Sequence, residues 1–187
     1  MKVLILGAHG YLGPHVVKAL ERHYQLRLTD IKPIETKHEA MQVDVSSLDE
    51  VMRAAENMDA IINCSVLRDD RQFAFDVSTR GCYNMMRAAV THGIHRVINT
   101  GPHFTIAGPS YTDYDFEISP DVPPHPGTLL YALTKGLGQE ICKIFTENYD
   151  IYVLCYLFLN FREHDDEKEG TDLQAFTVSW RDAAEAF

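Results

Sequence analysis

The segment Gly7-Ala8-His9-Gly10-Tyr11-Leu12-Gly13 leaves the apolar run Val3-Leu4-Ile5-Leu6 and enters a stretch in which Leu12, Val16, Val17 and Leu20 form one helical stripe. A strand that turns through three glycines into a helix serves a particular purpose. Glycine permits the tight turn and the close approach of backbone to a ligand, and the helix N-terminus offers unpaired N–H groups at the positive end of its dipole. Together they form a cradle for a pyrophosphate. With 11 glycines in 187 residues, this spacing arises by chance only about 0.04 times per chain. Gly7, His9, Gly10, Tyr11, Leu12 and Gly13 are therefore read as the phosphate-binding loop of a dinucleotide site. The first helix is expected to begin near Tyr11, with Pro14 tolerated in its first turn.

The second apolar run ends at Thr29-Asp30, seventeen residues after Gly13. A carboxylate there can accept from the adenosine ribose 2′-hydroxyl and repel a 2′-phosphate, so Asp30 favours NAD over NADP. Lys32 and Lys37 stand close enough to keep NADP as the lesser alternative, and a helix cap is the structural alternative for Asp30.

Beyond the loop, short apolar runs at Val3-Leu6, Leu26-Leu28, Met41-Val43, Ala60-Cys64, Arg96-Asn99 and Ile151-Tyr156 alternate with amphipathic stretches. That alternation predicts an α/β fold of the Rossmann type: a doubly wound parallel sheet with helices on both faces and a small or truncated substrate lobe. One dinucleotide-binding domain over 1–187 is expected, with helices at Arg80-His92 and Leu130-Tyr149 and with 102–126 and 160–175 as substrate-side loops. The run from Ile151 to Phe161 is too short to span a bilayer and is read as a buried strand.

A formal net charge of -10, with no basic stripe, argues against nucleic acid and acidic membrane surfaces as partners and leaves a small-molecule substrate. Cys64, Cys82, Cys142 and Cys155 show no metal-ligand spacing, so no metal site is expected. They read as buried free thiols. With no export signal at Met1-Lys2-Val3, they point to a cytoplasmic protein.

The loop reads GxxGxxG rather than GxGxxG, and it is joined to Asp30, Asp44-Val45 and Tyr131-Ala132-Leu133-Thr134-Lys135. In this combination the chain resembles the extended short-chain dehydrogenase/reductase family, the NAD-dependent epimerase and dehydratase group. Ser78-Thr79-Arg80-Gly81-Cys82 and the Pro-rich approach Ser119 to Pro126 resemble further family landmarks, in the family's order. The resemblance implies that Asp44 and Val45 contact the adenine. It also implies that Asn63, Cys64, Ser65, Val66 and Ser78 line the cofactor groove and that members dimerise through a four-helix bundle made by the helices at Arg80-His92 and Leu130-Tyr149.

Tyr131 and Lys135 can also be argued from chemistry. Four residues apart on a helix they share one face, and a neighbouring ammonium favours the ionised phenol. Such a phenol exchanges a hydroxyl proton while hydride moves to or from a nicotinamide. The spacing alone is weak, with about 0.3 chance occurrences for 9 Tyr and 7 Lys, so its place before the last strand carries the assignment.

The family's third group, a Ser or Thr after the fifth strand, has no direct counterpart. Alignment places Pro102 or His103 there, and neither carries a hydroxyl. Thr100 is the better candidate, with His103 as a substitute donor and Asn160 matching the family's substrate-side Asn. Phe161-Arg162-Glu163-His164 replaces the Gly-Pro stretch that usually follows that Asn, and Phe176 to Glu185 resembles the strand and helix after the substrate loops. Aromatics Phe104, Tyr111, Tyr114 and Phe116 are placed on a lid. The resemblance implies an NAD-dependent oxidoreductase acting on a hydroxyl or carbonyl of a sugar or nucleotide-sugar. The alternative is a non-catalytic NAD-binding or redox-sensing protein.

Overall fold

A computed structural model describes residues 1–67, 71–103, 130–163 and 177–187. Strand β1 (Lys2–Leu6) lies between β2 (Gln25–Asp30) and β4 (Ala60–Asn63) and pairs in parallel with both. With β3 (Glu39–Gln42), β5 (Arg96–Pro102) and β6 (Tyr152–Phe158) they build one all-parallel sheet, ordered β3-β2-β1-β4-β5-β6. This is the doubly wound parallel sheet of Rossmann type expected from the alternating pattern. The order reverses between β1 and β4, which opens a crevice beyond their C-terminal ends.

The connections are helices α1 (Gly13–Leu20), α2 (Leu48–Ala55), α3 (Arg71–Phe75), α4 (Gly81–His92) and α5 (Leu130–Asn148). One π-helical turn, Asp76–Arg80, joins α3 to α4. Helix α1 starts two residues later than expected, because Tyr11 and Leu12 are used in the turn and the Leu12 carbonyl takes the His15 and Val16 N–H groups. A short second sheet pairs β7 (Asn160–Arg162) with β8 (Thr177–Ser179) in parallel, so the expected loop 160–175 begins as a strand. Helix α6 (Trp180–Glu185) follows, capped by Ser179 Oγ accepting from Asp182 N–H at 2.9 Å.

Alternation along the strands sorts the core onto two faces. Leu4, Leu6, Ile61 and Val97 pack with Val51, Met85, Met86, Cys142 and Phe145 under α2, α4 and α5. Val3, Ile5 and Ile62 pack with Val16, Leu20 and Ala184 under α1 and α6. Both faces of the central strands are thus apolar, which is why these runs read as continuous rather than alternating.

Two expectations are corrected here. The last long run is not read as a buried strand in the structure: among the described residues β6 is the sheet edge, and Tyr152 and Leu154 are 71% and 55% exposed. For the same reason Cys155 is exposed, whereas Cys64, Cys82 and Cys142 are buried free thiols.

Candidate active site

The glycine loop leaves β1 at its C-terminal end. Gly7 has φ +76°, and a Cβ there would stand 2.7 Å from Ser65 backbone. A Cβ on Gly13 would meet the Ala8 carbonyl at 2.5 Å. These contacts are with backbone, which cannot swing away, so both positions are restricted to glycine. Gly10 is freer, its nearest atom being Gly7 O at 3.3 Å. The N–H groups of Gly7 and Ala8 donate to Thr29 O, each at 2.9 Å, which ties the loop to β2. Asp30 closes β2, and its carboxylate accepts from His9 N–H at 3.1 Å and from Lys32 N–H at 3.2 Å, so it orients the loop.

Asp44 and Val45 follow β3. Asp44 Oδ1 accepts from the Ser46 N–H and hydroxyl, both at 2.8 Å, and the Val45 carbonyl takes Asn84 Nδ2 at 2.9 Å. Ser78 sits in the π turn, 1% exposed, and its carbonyl is where a Cβ on Gly138 of α5 would collide. It lies against α5 rather than on the cavity wall.

Beyond the ends of β4 and β5, a cavity of about 500 Å³ is lined by Tyr11, Leu12, Cys64, Val66, Thr100, Tyr131, Lys135 and Asn160, with an aromatic side formed by Phe158, Phe161 and Trp180. The fold therefore brings together the loop, the tyrosine-lysine pair and Asn160. A larger depression of about 760 Å³ lies at the opposite ends of the strands, around Met1, Arg22 and Asp59. That is the wrong edge for ligand binding in this architecture.

Lys135 is the best-defined polar group of the cavity. Its Nζ donates to Ser65 O at 2.8 Å and to Thr100 O at 3.2 Å, and the residue is 3% exposed. Two carbonyls at the ends of adjacent strands thus hold a buried ammonium one helical turn from Tyr131. The support continues below. Asn63 Nδ2 donates to Asn99 Oδ1 at 2.9 Å, and Asn63 Oδ1 accepts from Ser65 N–H at 3.0 Å. Burial pushes the Cys64 thiol up to about 12 despite the opposing Lys135 charge, so it is an inert wall at neutral pH.

Thr100 lines the cavity at the end of β5. Its hydroxyl donates to Asn63 O at 2.8 Å, while its carbonyl holds Lys135. The side chain on β5 points across to the end of β4, a direction its sequence position does not reveal. His103 is 6% exposed, its N–H donates to Phe158 O at 2.9 Å, and it is absent from the described cavity lining. Burial holds its imidazole below the ordinary range, hence neutral at pH 7. The aromatics Phe104, Tyr111, Tyr114 and Phe116 lie outside the described residues.

Sequence reading missed the aromatic side of the cavity. Trp180 is stacked between His15 of α1 (5.3 Å, 9° between planes) and Phe161 of β7 (3.9 Å, 3°). The stack fastens β7 to α1. Its only sequence signal is the chain's single tryptophan directly after a capping serine.

Among known proteins, the model of the NAD dependent epimerase/dehydratase family matches residues 3–174. The chain belongs to that family. An NAD-dependent glucose-6-phosphate dehydrogenase of Haloferax volcanii is 25% identical over 207 residues, covering 99% of this family member and 78% of the relative. Among solved structures, a mutated uronate dehydrogenase superposes with TM-score 0.80 at 22% identity, covering 97% of the chain. A short-chain dehydrogenase/reductase superfamily protein from Agrobacterium tumefaciens with bound NAD gives 0.79 at 21% over 87%. The chain spans 66% and 50% of those two solved chains, and the likeness to them is one of fold. Among the described residues, no helix of this family member is long and apolar enough to cross a membrane.

Proposed function

We propose that the chain binds NAD and acts as an oxidoreductase of the epimerase/dehydratase type on a hydroxyl or carbonyl of a sugar or nucleotide-sugar. The observation that carries this reading is the convergence of Tyr131 and the carbonyl-held Lys135 on the cavity that the glycine loop borders. The residues fit the cofactor: Gly7 and Gly13 leave room where any Cβ would strike backbone, α1 presents its N-terminus beside them, and Asp30 suits a ribose without a 2′-phosphate.

In this reading Tyr131 exchanges the substrate hydroxyl proton. Lys135 favours the phenolate electrostatically and offers its ammonium to the cofactor ribose. Bound NAD supplies the hydride acceptor. Thr100 contributes chiefly through the carbonyl that orients Lys135, and Asn160 with His103 belongs to the substrate side. His9, Tyr11, Leu12, Asp44, Val45, Cys64, Ser65 and Val66 complete the cofactor groove, and Ser78 supports it from behind, against α5. The chain works as one NAD-binding domain, 1–187, with substrate-side segments at 102–126 and 160–175.

Exposed Tyr83 on α4 and Leu133, Leu137 and Ile144 on α5 support a homodimer through a four-helix bundle of these helices. Three buried free thiols support a cytoplasmic setting. One observation favours the second reading, an NAD-binding protein without turnover: the Thr100 hydroxyl is committed to Asn63, and neither Pro102 nor His103 supplies another.

The test combines calorimetric titration of NAD with turnover assays on uronates, glucose 6-phosphate and UDP-sugars. The oxidoreductase reading expects saturable NAD heat and sustained turnover. It also expects Tyr131→Phe to lose at least about 100-fold in rate while NAD affinity stays within a few-fold. Binding without turnover on any of them supports the second reading, and absence of heat with either nicotinamide dinucleotide overturns both.

A further inference from the structure

The parallel ladder between β4 and β5 ends at the pair Asn63 and Asn99. Both side chains fall on the face of the sheet where Ile61 and Val97, two residues earlier, pack under α4 and α5. Both residues are buried, and neither is among the described residues that line the cavity. Two amides at the rim of an apolar cluster cost free energy unless their hydrogen bonds are made. A pair of leucines would fill similar space without that cost, so packing alone does not account for them.

Their hydrogen bonds close a circuit. Asn63 Oδ1 accepts from Ser65 N–H at 3.0 Å, and Asn63 O accepts from the Thr100 hydroxyl at 2.8 Å. The carbonyls of these same two residues hold Lys135 Nζ, at 2.8 Å and 3.2 Å. Each carbonyl that receives the ammonium from above therefore belongs to a residue tethered to Asn63 from below. Asn99 decides which way the Asn63 amide faces. Asn63 Nδ2 donates to Asn99 Oδ1 at 2.9 Å and to Cys82 Sγ of α4 at 3.7 Å, which leaves Oδ1 for Ser65.

We infer that Asn63 and Asn99 are positioning residues of the active site: from behind the cavity they set the two carbonyls that aim the Lys135 ammonium, one helical turn from Tyr131. Amides suit this task. A carboxylate in the same place would draw the ammonium to itself, whereas an uncharged pair fixes the seat and leaves the charge of Lys135 to act on the cavity. The catalytic consequence rests on the oxidoreductase reading, and the placing of Lys135 rests on the circuit alone.

The seat can be read by NMR on the full chain without substrate or cofactor. An ammonium held by two carbonyls away from water exchanges its protons slowly enough to give a proton–nitrogen cross-peak for Nζ below neutral pH, and Lys135→Met identifies that peak by removing it. The parent should show it. Asn63→Leu, Asn99→Leu and the milder Thr100→Val should each broaden it beyond detection. Val97→Ala, in the core beside them, should lower the thermal midpoint and leave the peak unchanged, which separates a loosened seat from lost stability. On any sugar that is turned over, the three circuit variants should lose at least about tenfold in kcat with KM held within about threefold. A peak intact in either asparagine variant would overturn the proposal, as would its absence from the parent, and Thr100→Val decides where those variants do not fold. A parent that shows the peak yet turns over no sugar loses the oxidoreductase reading and keeps the seat.

Discussion

Lys135 Nζ donates to the backbone carbonyl of Ser65 at 2.8 Å, joining α5 to the end of β4 across seventy residues of chain. The same ammonium reaches Thr100 O at 3.2 Å, so one side chain spans the ends of the two strands that border the crevice. Its charge is therefore structural as well as electrostatic. Replacing it with Met keeps the stem but leaves two carbonyls without their donor. Lys135→Met should cost about 1–3 kcal/mol, read as a lower urea midpoint at unchanged slope. It should also reduce turnover at least as much as Tyr131→Phe. Full stability in this variant would show that the carbonyl contacts contribute nothing to the fold.

The three loop glycines should separate by experiment. Gly7→Ala meets both a left-handed φ and Ser65 backbone, and Gly13→Ala meets the Ala8 carbonyl. Each should destabilise by about 1–3 kcal/mol in addition to weakening NAD. Gly10→Ala has only Gly7 O nearby at 3.3 Å, so it should keep the thermal midpoint within a few degrees and lose cofactor affinity. Equal thermal losses in all three would contradict this division.

Asp30 accepts from His9 N–H and stands where the adenosine ribose is expected. Asp30→Ala removes both the acceptor for a 2′-hydroxyl and the repulsion of a 2′-phosphate. The ratio of NAD to NADP affinity should fall at least tenfold, measured by paired titrations. A ratio unchanged from the parent would assign Asp30 to loop geometry alone.

Alkaline stability carries the signature of the Cys64 thiol. Burial raises it from 9.0 to about 12, so the neutral thiol is favoured by the fold. Between these values the unfolded chain has released the proton and the folded chain has not. The contribution is therefore complete below pH 9 and is lost as pH climbs toward 12. Urea midpoints taken from pH 8 to 11 should decline more steeply for the parent than for Cys64→Ala. Parallel declines would remove this thiol from the account.

Residues near one another in sequence determined much of this protein. The glycine spacing after Val3-Leu6, the acidic residue closing the second strand, and the pairing of Tyr131 with Lys135 are each set by local geometry. A turn needs its glycine, and a helix repeats every 3.6 residues wherever it packs. The alternation of runs likewise pointed to a doubly wound parallel sheet, because parallel crossovers leave few topologies; the strand order itself came from the structure. What tertiary structure alone decided involves partners far apart in the chain. The Thr100 hydroxyl turns to Asn63, Lys135 finds Ser65, and Trp180 is sandwiched between His15 and Phe161. The run 151–161 looked buried because composition records how apolar a strand is, whereas position in the sheet decides what covers it. Its place at the edge, among the described residues, follows from the other five strands, and none of its own residues announces it.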